Sequence, residues 1–208
     1  MLALRVDLVL LSLRESRLRV LLEPAGPILW RLPGADLKEE RSLEAAAQDC
    51  LRSSVGESDA YLEQLYTYGE PGRVAGRRTV SCVYLGLMRA GANAAAPLTW
   101  YDASHPPSLE HDHAAILAYA LTRLRYKLEY TAVGFELLPE TFTLTELQRT
   151  YEIVLSEPLD KRNFRRRILS AGVIEGTRKM RSGDGRPARL YRYRDDAVAQ
   201  VKARRLFP

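Results

Sequence analysis

The run KRNFRRR, residues 161–167, combines closely spaced cationic side chains with one amide. A guanidinium can donate two hydrogen bonds to guanine, and an asparagine amide can pair in the same way with adenine. The candidates for reading base edges are Arg162, Asn163 and Arg166. Neighbouring cations would contact phosphates, which position a protein on DNA without specifying sequence. These candidates are Lys161, Arg165 and Arg167.

A second basic set follows within 20 residues, in the segment VIEGTRKMRSGDGRPARLYRYR. Two strand-like runs flank the turn SGDGRP, whose glycines and proline favour chain reversal. We expect the cations of this hairpin to contact DNA phosphates. They are Arg178, Lys179, Arg181, Arg186 and Arg189. The alternatives are a solvated basic surface with structural ion pairs, or RNA binding, although no aromatic RNA-recognition motif is visible.

These positions require two helices ahead of the hairpin. Thr143 precedes Glu146 by three residues, which is the spacing of a capping box, and predicts a helix over LTELQRTYEIVLS. The next helix begins at Asp160 or just before it and ends at Gly172. Its apolar residues Phe164, Ile168 and Leu169 are expected to pack inward. Helix, turn, basic helix and basic hairpin together predict a winged helix-turn-helix.

The charge distribution also separates this segment from the rest of the chain. Residues 141–208 contain 16 Lys/Arg and 8 Asp/Glu, a balance of +8, whereas residues 1–140 contain 15 and 18. A basic end on a mildly acidic body is typical of an attached module that binds a polyanion.

The N-terminal part alternates strand and helix patterns. Residues 5–13 and 17–23 predict two strands, ILWRL a short third, and YLEQLYTYGE and TVSCVYLGLM two more. Helices are predicted over 42–54, capped by Ser42 and ended by Gly56, and over 110–130. The Pro/Ala/Gly-rich residues 90–109 are expected to form a loop. The fold class is therefore α+β, with one domain at 1–138 and a second at 139–208.

Composition places limits on location and redox chemistry. The apolar N-terminus is interrupted by Arg5 and Asp7, lacks the order of a signal peptide and is too short to cross a bilayer. We expect a cytoplasmic protein with no membrane partner. Cys50 and Cys82 are expected to be buried free thiols rather than a disulfide.

Several of these segments resemble one known family. FTLTELQ…YE, LDKRNFRR and GRPARLYR, preceded by YTYGEPGR…RRTVSCVYLGLM, closely resemble the Nudix-related transcriptional regulators. The resemblance covers nearly the whole chain. It implies an N-terminal Nudix-like α/β/α sandwich with a mixed sheet, followed by a C-terminal winged helix. It also implies a homodimer on a palindromic operator in double-stranded DNA, acting as a repressor of NAD-related metabolism and sensing ADP-ribose or a related nucleotide or phosphosugar.

The resemblance further identifies LPGADLKEERSLEAAAQDCLRSSVG as a degenerate Nudix box. In an intact box, helix glutamates bind Mg²⁺ or Mn²⁺, which bridges the diphosphate and activates water. Here Arg41 replaces the first Glu, and Cys50, Ser53 and Ser54 occupy the later Glu positions. Asp49 lies about 100° away around the helix. We therefore expect no bound metal, no catalytic residue and no enzyme, the alternative being an active Mg-dependent hydrolase of ADP-ribose-like compounds.

A domain without metal ligands can still hold phosphates through guanidinium groups. The loop arginines align with the family's ligand-side loop, and aromatic rings such as those of Tyr66 and Tyr68 could stack on adenine. The predicted effector-binding residues are Arg31, Arg41, Arg73, Arg77, Arg78 and Trp30. Each has a simpler interpretation as a core or surface residue. His111 and His113 are expected to have only capping or surface roles.

Overall fold

The first strand, β1, runs from Leu2 to Arg14 and organises the N-terminal unit. In this computed structural model, residues 2–56, 59–91, 93–182, 187–194 and 197 are described. β1 and β2 (Arg17–Pro24) form an antiparallel hairpin, as predicted. The side chains of β1 between Val6 and Leu11 are completely buried, because this strand lies in the middle of the sheet.

The sheet is mixed and has seven strands. β1 pairs in parallel with β6 (Arg78–Met88), and β6 pairs antiparallel with β5 (Tyr61–Tyr68). β3 (Trp30–Arg31) and β7 (Thr99–Asp102) each pair with β2, while β4 (Gly34–Asp36) pairs with β1. The expectation of a loop throughout 90–109 is therefore wrong at β7. Its pairing with β2 stabilises four residues whose local pattern is too short to predict a strand.

Helix α1 (Leu43–Val55) covers one face of this sheet. Ser42 caps it by accepting a hydrogen bond from the Ala45 N–H, and Gly56 ends it with a positive φ of 78°. Ala47, Cys50 and Leu51 pack against Val6, Leu8 and Leu10 of β1 in one core cluster. Cys50 and Cys82 are buried free cysteines, as expected.

The opposite face of the sheet is buried as well, including Val9 and Leu11 of β1. In the first half of α2 (His113–Tyr130), Ile116 and Ala120 are buried too. The chain divides into two compact units, Met1–Ala120 and Leu121–Pro208, and the division falls within α2. The domain bounds 1–138 and 139–208 stay a prediction. Across the described residues, no helix is long and apolar enough to cross a membrane.

The C-terminal unit contains the predicted helices and hairpin. A 3₁₀ helix (Val133–Leu137) precedes α3 (Leu144–Leu155) and α4 (Lys161–Ser170). Strands β8 (Ile174–Arg181) and β9 (Ala188–Tyr193) pair antiparallel, and Phe142 bridges to Tyr191 on the other edge of β9. The predicted turn SGDGRP lies largely outside the described residues. Its ends, Ser182 and Pro187, are described.

The core of this unit confirms most of the predicted helix faces. Leu147, Tyr151 and Val154 of α3 are buried, and the Tyr151 ring lies 5.6 Å from that of Phe164 on α4. Leu169 is 48% exposed, so its expected inward packing is wrong. It lies about 100° around the helix from buried Ile168, which rotates its side chain out of the core.

Gly34 provides a test of the sheet at its most crowded point. A Cβ there would lie 2.1 Å from Asp7 Oδ1 and 2.7 Å from the Val6 carbonyl oxygen, and this backbone atom cannot rotate away. We expect Gly34→Ala to lower the free energy of unfolding of the N-terminal unit by about 1–3 kcal/mol, as overpacking does. Urea denaturation would measure it. Gly26→Ala is the matched control, because its Cβ would meet nothing within 4 Å, and equal stability of the two variants would contradict this packing.

Candidate functional sites

Helix α4 presents the basic residues of the C-terminal unit. Asp160 caps it by accepting a hydrogen bond of 2.7 Å from the Asn163 N–H, and this fixes where the helix begins. Burial of Phe164 and Ile168 then turns the positions between them outward, and Lys161, Arg162 and Arg166 are exposed.

Two of the predicted base-reading residues are coupled to each other. Arg166 donates a hydrogen bond of 2.9 Å from Nη2 to Asn163 Oδ1. Because one turn of helix separates them, this bond holds the Asn163 amide in one orientation, with its NH₂ group still available as a donor. Arg162 is exposed, and in the described residues its guanidinium has no ion pair.

Two of the predicted phosphate-contacting residues also have partners within the C-terminal unit, and their role on DNA stays a prediction. Arg165 donates from Nη2 to Thr145 Oγ1 at 3.0 Å, on the first turn of α3. Arg181 of β8 bonds to Glu146, whose other carboxylate oxygen accepts the Thr143 N–H at 2.8 Å in the capping box. These two arginines therefore join α4 and the hairpin to the start of α3.

The rest of the predicted hairpin cations lie on both strands. Arg178 and Lys179 are exposed on β8. Arg189 on β9 donates to the Thr177 carbonyl at 3.3 Å, and its guanidinium lies over Gly176, where a Cβ would be 2.4 Å from it. Arg167 lies beside Asn163 in a small depression of α4. Arg186 lies outside the described residues.

The N-terminal unit contains a cavity of about 210 Å³, which we call the arginine cavity. It lies at the end of the sheet where the strand paired with β1 is β4 rather than β2. It includes three of the six predicted effector-binding residues, Arg31, Arg73 and Arg77. Its full lining is Arg5, Arg31, Arg73, Val74, Arg77, Thr79, Ser81, Glu110, His111 and His113.

Carboxylates hold the guanidinium groups of this cavity in place. Arg73 is the most deeply placed, with a side chain 4% exposed. It donates to both oxygens of Asp112 at 2.8 Å and to Ser81 Oγ at 2.8 Å. Arg31 pairs with Glu23 at 2.5 Å, and Arg77 with Asp36 at 2.8 Å.

The other three predicted effector residues lie elsewhere. Arg41 pairs with Asp49 at 2.6 Å on the outside of α1, and Arg78 donates to the Gly69 carbonyl at 2.6 Å. Trp30 packs edge-to-face on Tyr101, with ring centroids 4.7 Å apart. Their assignment to the effector site stays a prediction.

The degenerate box has no arrangement of metal ligands. Ser53 and Ser54 both donate to the Cys50 carbonyl, at 2.9 and 2.7 Å, so their hydroxyls are bonded to the helix backbone. Burial raises the pKa of the Cys50 thiol to about 12, which keeps it protonated. Bonds from Arg52 and Arg41 lower the pKa of Asp49. Within the described residues, no group of three His, Cys, Asp or Glu side chains could hold a metal ion.

Sequence reasoning missed His113, which is buried rather than on the surface. Its Nδ1 accepts a hydrogen bond of 2.9 Å from the Leu32 N–H, so the neutral ring carries its proton on Nε2. Arg5, Thr79 and Ser81 were also missed. Alternation along a strand is a signal that could have grouped Thr79 with Ser81. It could not have shown the cavity, which is closed by residues of the loop before β6 and residues just before α2.

The fold and the two sites define a class of protein in which a Nudix-like domain, with no group of metal ligands among its described residues, is joined to a winged helix. Residues 134–193 match the NrtR DNA-binding winged helix domain family. The chain is 34% identical over 201 residues to the ADPR responsive transcriptional repressor NtrR of Acinetobacter baylyi, covering 90% of this chain and 80% of that relative. The chain belongs to the NrtR family of transcriptional regulators.

Solved structures agree with this relationship. Shewanella oneidensis NrtR complexed with a 27mer DNA is 31% identical, with a TM-score of 0.83, covering 98% of this chain and 99% of that one. The Nudix domain of the same regulator, complexed with ADP ribose, is 29% identical, with a TM-score of 0.51, covering 60% and 89%. The predicted family, the α+β fold class and the Nudix-like sandwich followed by a winged helix are therefore confirmed.

The burial of His113 predicts a pH-dependent stability. Burial lowers the pKa of the imidazole below its usual 6.5, although the carboxylates of Asp7, Asp112 and Glu110 oppose this shift. At a pH between the pKa of His113 in the folded protein and its pKa in the unfolded chain, the unfolded chain takes up a proton that the folded protein does not. Stability should therefore fall as the pH drops below about 6.5 and be fully present above it.

Denaturant titrations of the N-terminal unit's transition between pH 7.5 and 5.5 would measure this. His113→Asn removes the titrating ring but keeps a side-chain oxygen that can accept the Leu32 N–H, so its stability should depend less steeply on pH than that of the natural protein. His105→Asn, at an exposed position, is the control. An unchanged slope in His113→Asn would contradict this role for His113.

Proposed function

We propose that this protein is a DNA-binding transcriptional repressor that responds to ADP-ribose. The observation that carries the proposal is the exposed basic face of α4, in a chain whose full length matches a regulator solved with DNA. Arg162, Asn163 and Arg166 would read base edges in the major groove, because they lie in the first two turns of the second helix of the helix-turn-helix. Lys161, Arg178 and Lys179 would bind phosphates.

The functional unit we propose is a homodimer on a palindromic operator. A two-fold dimer presents two copies of α4, and these would reach successive major grooves about 34 Å apart. The two half-sites must then be inverted copies of each other. The genes under control would belong to NAD-related metabolism, as the family resemblance implies, and the site of action would be the cytoplasm.

The effector would bind in the arginine cavity. Guanidinium groups bind phosphate oxygens with two parallel hydrogen bonds, so a diphosphate suits a cavity lined by Arg5, Arg31, Arg73 and Arg77. The relative from Acinetobacter baylyi is named as ADPR responsive, and the Nudix domain of the Shewanella regulator was solved with ADP ribose. ADP-ribose is therefore the effector we propose, bound without metal or cofactor.

We also propose that the Nudix-like domain is not an enzyme. Diphosphate hydrolysis of the Nudix type needs a metal held by helix carboxylates. Here the box hydroxyls are bonded to the helix backbone, and the Asp49 carboxylate is paired with two arginines. Measurable turnover of ADP-ribose with Mg²⁺ or Mn²⁺ that falls in Asp49→Asn would support the alternative of an active hydrolase.

DNA recognition can be tested on the DNA upstream of the protein's own gene. At fixed salt, Arg162→Ala and Asn163→Ala should each weaken operator binding by about 1–3 kcal/mol and relax sequence preference, because each removes a base contact. Lys179→Ala should weaken specific and unspecific DNA equally. Fluorescence anisotropy would measure the DNA affinity of the natural protein and of these three variants. Arg123→Ala, which removes an exposed arginine of α2, is the charge-matched control for the loss of a cation.

Two results would contradict the DNA-binding proposal. One is a natural protein without sequence preference at moderate salt. The other is a set of α4 variants that bind the operator as well as the Arg123→Ala control.

The response to effector is a separate prediction. Adding ADP-ribose should lower the affinity for the operator, because a ligand that prefers the unbound arrangement shifts the equilibrium away from DNA. The same anisotropy titration, repeated with and without ADP-ribose, measures the shift. Equal affinities in both titrations would sink the effector proposal and leave the DNA-binding proposal intact.

A further inference from the structure

Thr79 of β6 lies in the wall of the arginine cavity and is nearly inaccessible to solvent. It is 2% exposed, and its Oγ1 makes no hydrogen bond to any described part of the chain. A buried hydroxyl without a partner destabilises the folded protein, so such groups are rare unless something else bonds to them. An isosteric valine would avoid this cost. A polar residue at this position therefore indicates a partner that enters the cavity.

Ser81, two residues further along β6, points to the same side of the strand. It is fully buried and accepts a hydrogen bond of 2.8 Å from Arg73 Nη1. Because its oxygen serves as an acceptor there, its hydroxyl proton remains free to be donated. Thr79 and Ser81 thus form a short row of hydroxyl groups along one wall of the cavity.

Arg73 adds directed positive charge at the end of this row. Its guanidinium has five N–H donors, of which three are bonded to Asp112 and Ser81. Two N–H groups remain for a ligand. The bidentate pair with Asp112 holds the plane of the guanidinium still, so that little conformational entropy is lost when these donors bind an anion.

His113 supplies a further donor. Its Nδ1 is occupied by the Leu32 N–H at 2.9 Å, which leaves an Nε2–H on a residue that also lines the cavity. Thr79, Ser81, Arg73 and His113 all have hydrogens to offer, and among the cavity's lining residues only Glu110 is a carboxylate. A cluster of donors selects an acceptor-rich ligand, and a phosphate oxyanion is the ligand with the most acceptor oxygens for its volume.

We propose that Thr79 determines ligand specificity by donating its hydroxyl hydrogen to a phosphate oxygen, in a phosphate site that works without metal. The site takes the phosphate or diphosphate group of a phosphorylated compound. Donors from β6, Arg73 and His113 replace the divalent ion that bridges these oxygens in a Nudix hydrolase. This inference rests on the proposed function only in placing the effector in this cavity.

The test is isothermal titration calorimetry of the full-length protein in EDTA, with inorganic pyrophosphate and ADP-ribose as the two probes. Thr79→Val should bind both probes about 10-fold to 100-fold more weakly, as expected for the loss of a hydrogen bond to a charged group. The free Thr79→Val protein should be as stable as the natural one or more stable, because the unpartnered hydroxyl is gone. A residue that served only structure would show the opposite, lower stability and unchanged affinity.

Two further variants complete the design. Thr79→Ser keeps the hydroxyl and should bind both probes within a few-fold of the natural protein, and it provides the test if Thr79→Val does not fold. Thr99→Val, at an exposed position of β7, is the matched control for the same substitution on a strand and should change neither affinity nor stability.

The outcomes separate this inference from the proposed function. Unchanged affinity in folded Thr79→Val, or lost affinity in folded Thr79→Ser, overturns the role of Thr79 and leaves ADP-ribose as effector. Binding of pyrophosphate that depends on Thr79, with no binding of ADP-ribose, supports the phosphate site and overturns the effector. If the natural protein binds neither probe in EDTA, the metal-free phosphate site is overturned.

Discussion

The parallel pairing of β1 with β6, from Leu2 opposite Arg78 to Ser12 opposite Met88, is the interaction on which the N-terminal unit depends. It sets the two strands in register over almost the whole length of β6. Because side chains alternate, one register decides both faces of the sheet at once. Val6, Leu8, Cys82 and Tyr84 face α1 in the core cluster.

The same register places the polar groups. Arg5 of β1 lies opposite Ser81 of β6, and Ala3 lies opposite Thr79. These residues line the wall of the arginine cavity or adjoin it, at the end of the sheet where β4 replaces β2 as the neighbour of β1. A slip of one residue would move the hydroxyls to the other face and put apolar groups in the cavity. The register of β6 is therefore constrained both by packing against α1 on one face and by the lining of the arginine cavity on the other.

Helix α1 keeps the structure of a Nudix box helix, although the glutamate positions of the box hold other residues. Its cap at Ser42, its apolar contacts through Ala47 and Leu51, and its end at Gly56 are all present. None of these features requires a carboxylate. Gly34, in strand β4 before the helix, has a packing role, since Asp7 and Val6 leave no room for a Cβ.

In the C-terminal unit, arginines of similar appearance in sequence have different roles. Arg162 and Arg166 are exposed on α4, whereas Arg165 bonds to Thr145 and Arg181 bonds to Glu146. Composition predicts a basic surface on this unit, and exposed arginines such as Arg162 and Arg166 agree with it. Which arginines bond within the unit depends on its tertiary structure, because the first turn of α3 supplies their partners, Thr145 and Glu146.

The sequence by itself determined the elements whose signals are local. Three caps, at Ser42, Thr143 and Asp160, together with helical apolar spacing, predict the helix of the box and the two helices of the winged helix. These features depend on residues a few positions apart. Contacts within one turn are the ones that a sequence pattern records.

Only the tertiary structure decided the short strands and the cavity. β4 and β7 are three and four residues long and exist because β1 and β2 offer them backbone partners. The arginine cavity brings together Arg5, Arg31, Arg73, Thr79 and His113, from five separate parts of the chain. It includes three of the five arginines predicted to bind the effector and a histidine expected on the surface, because long-range closure of the sheet brings these residues together.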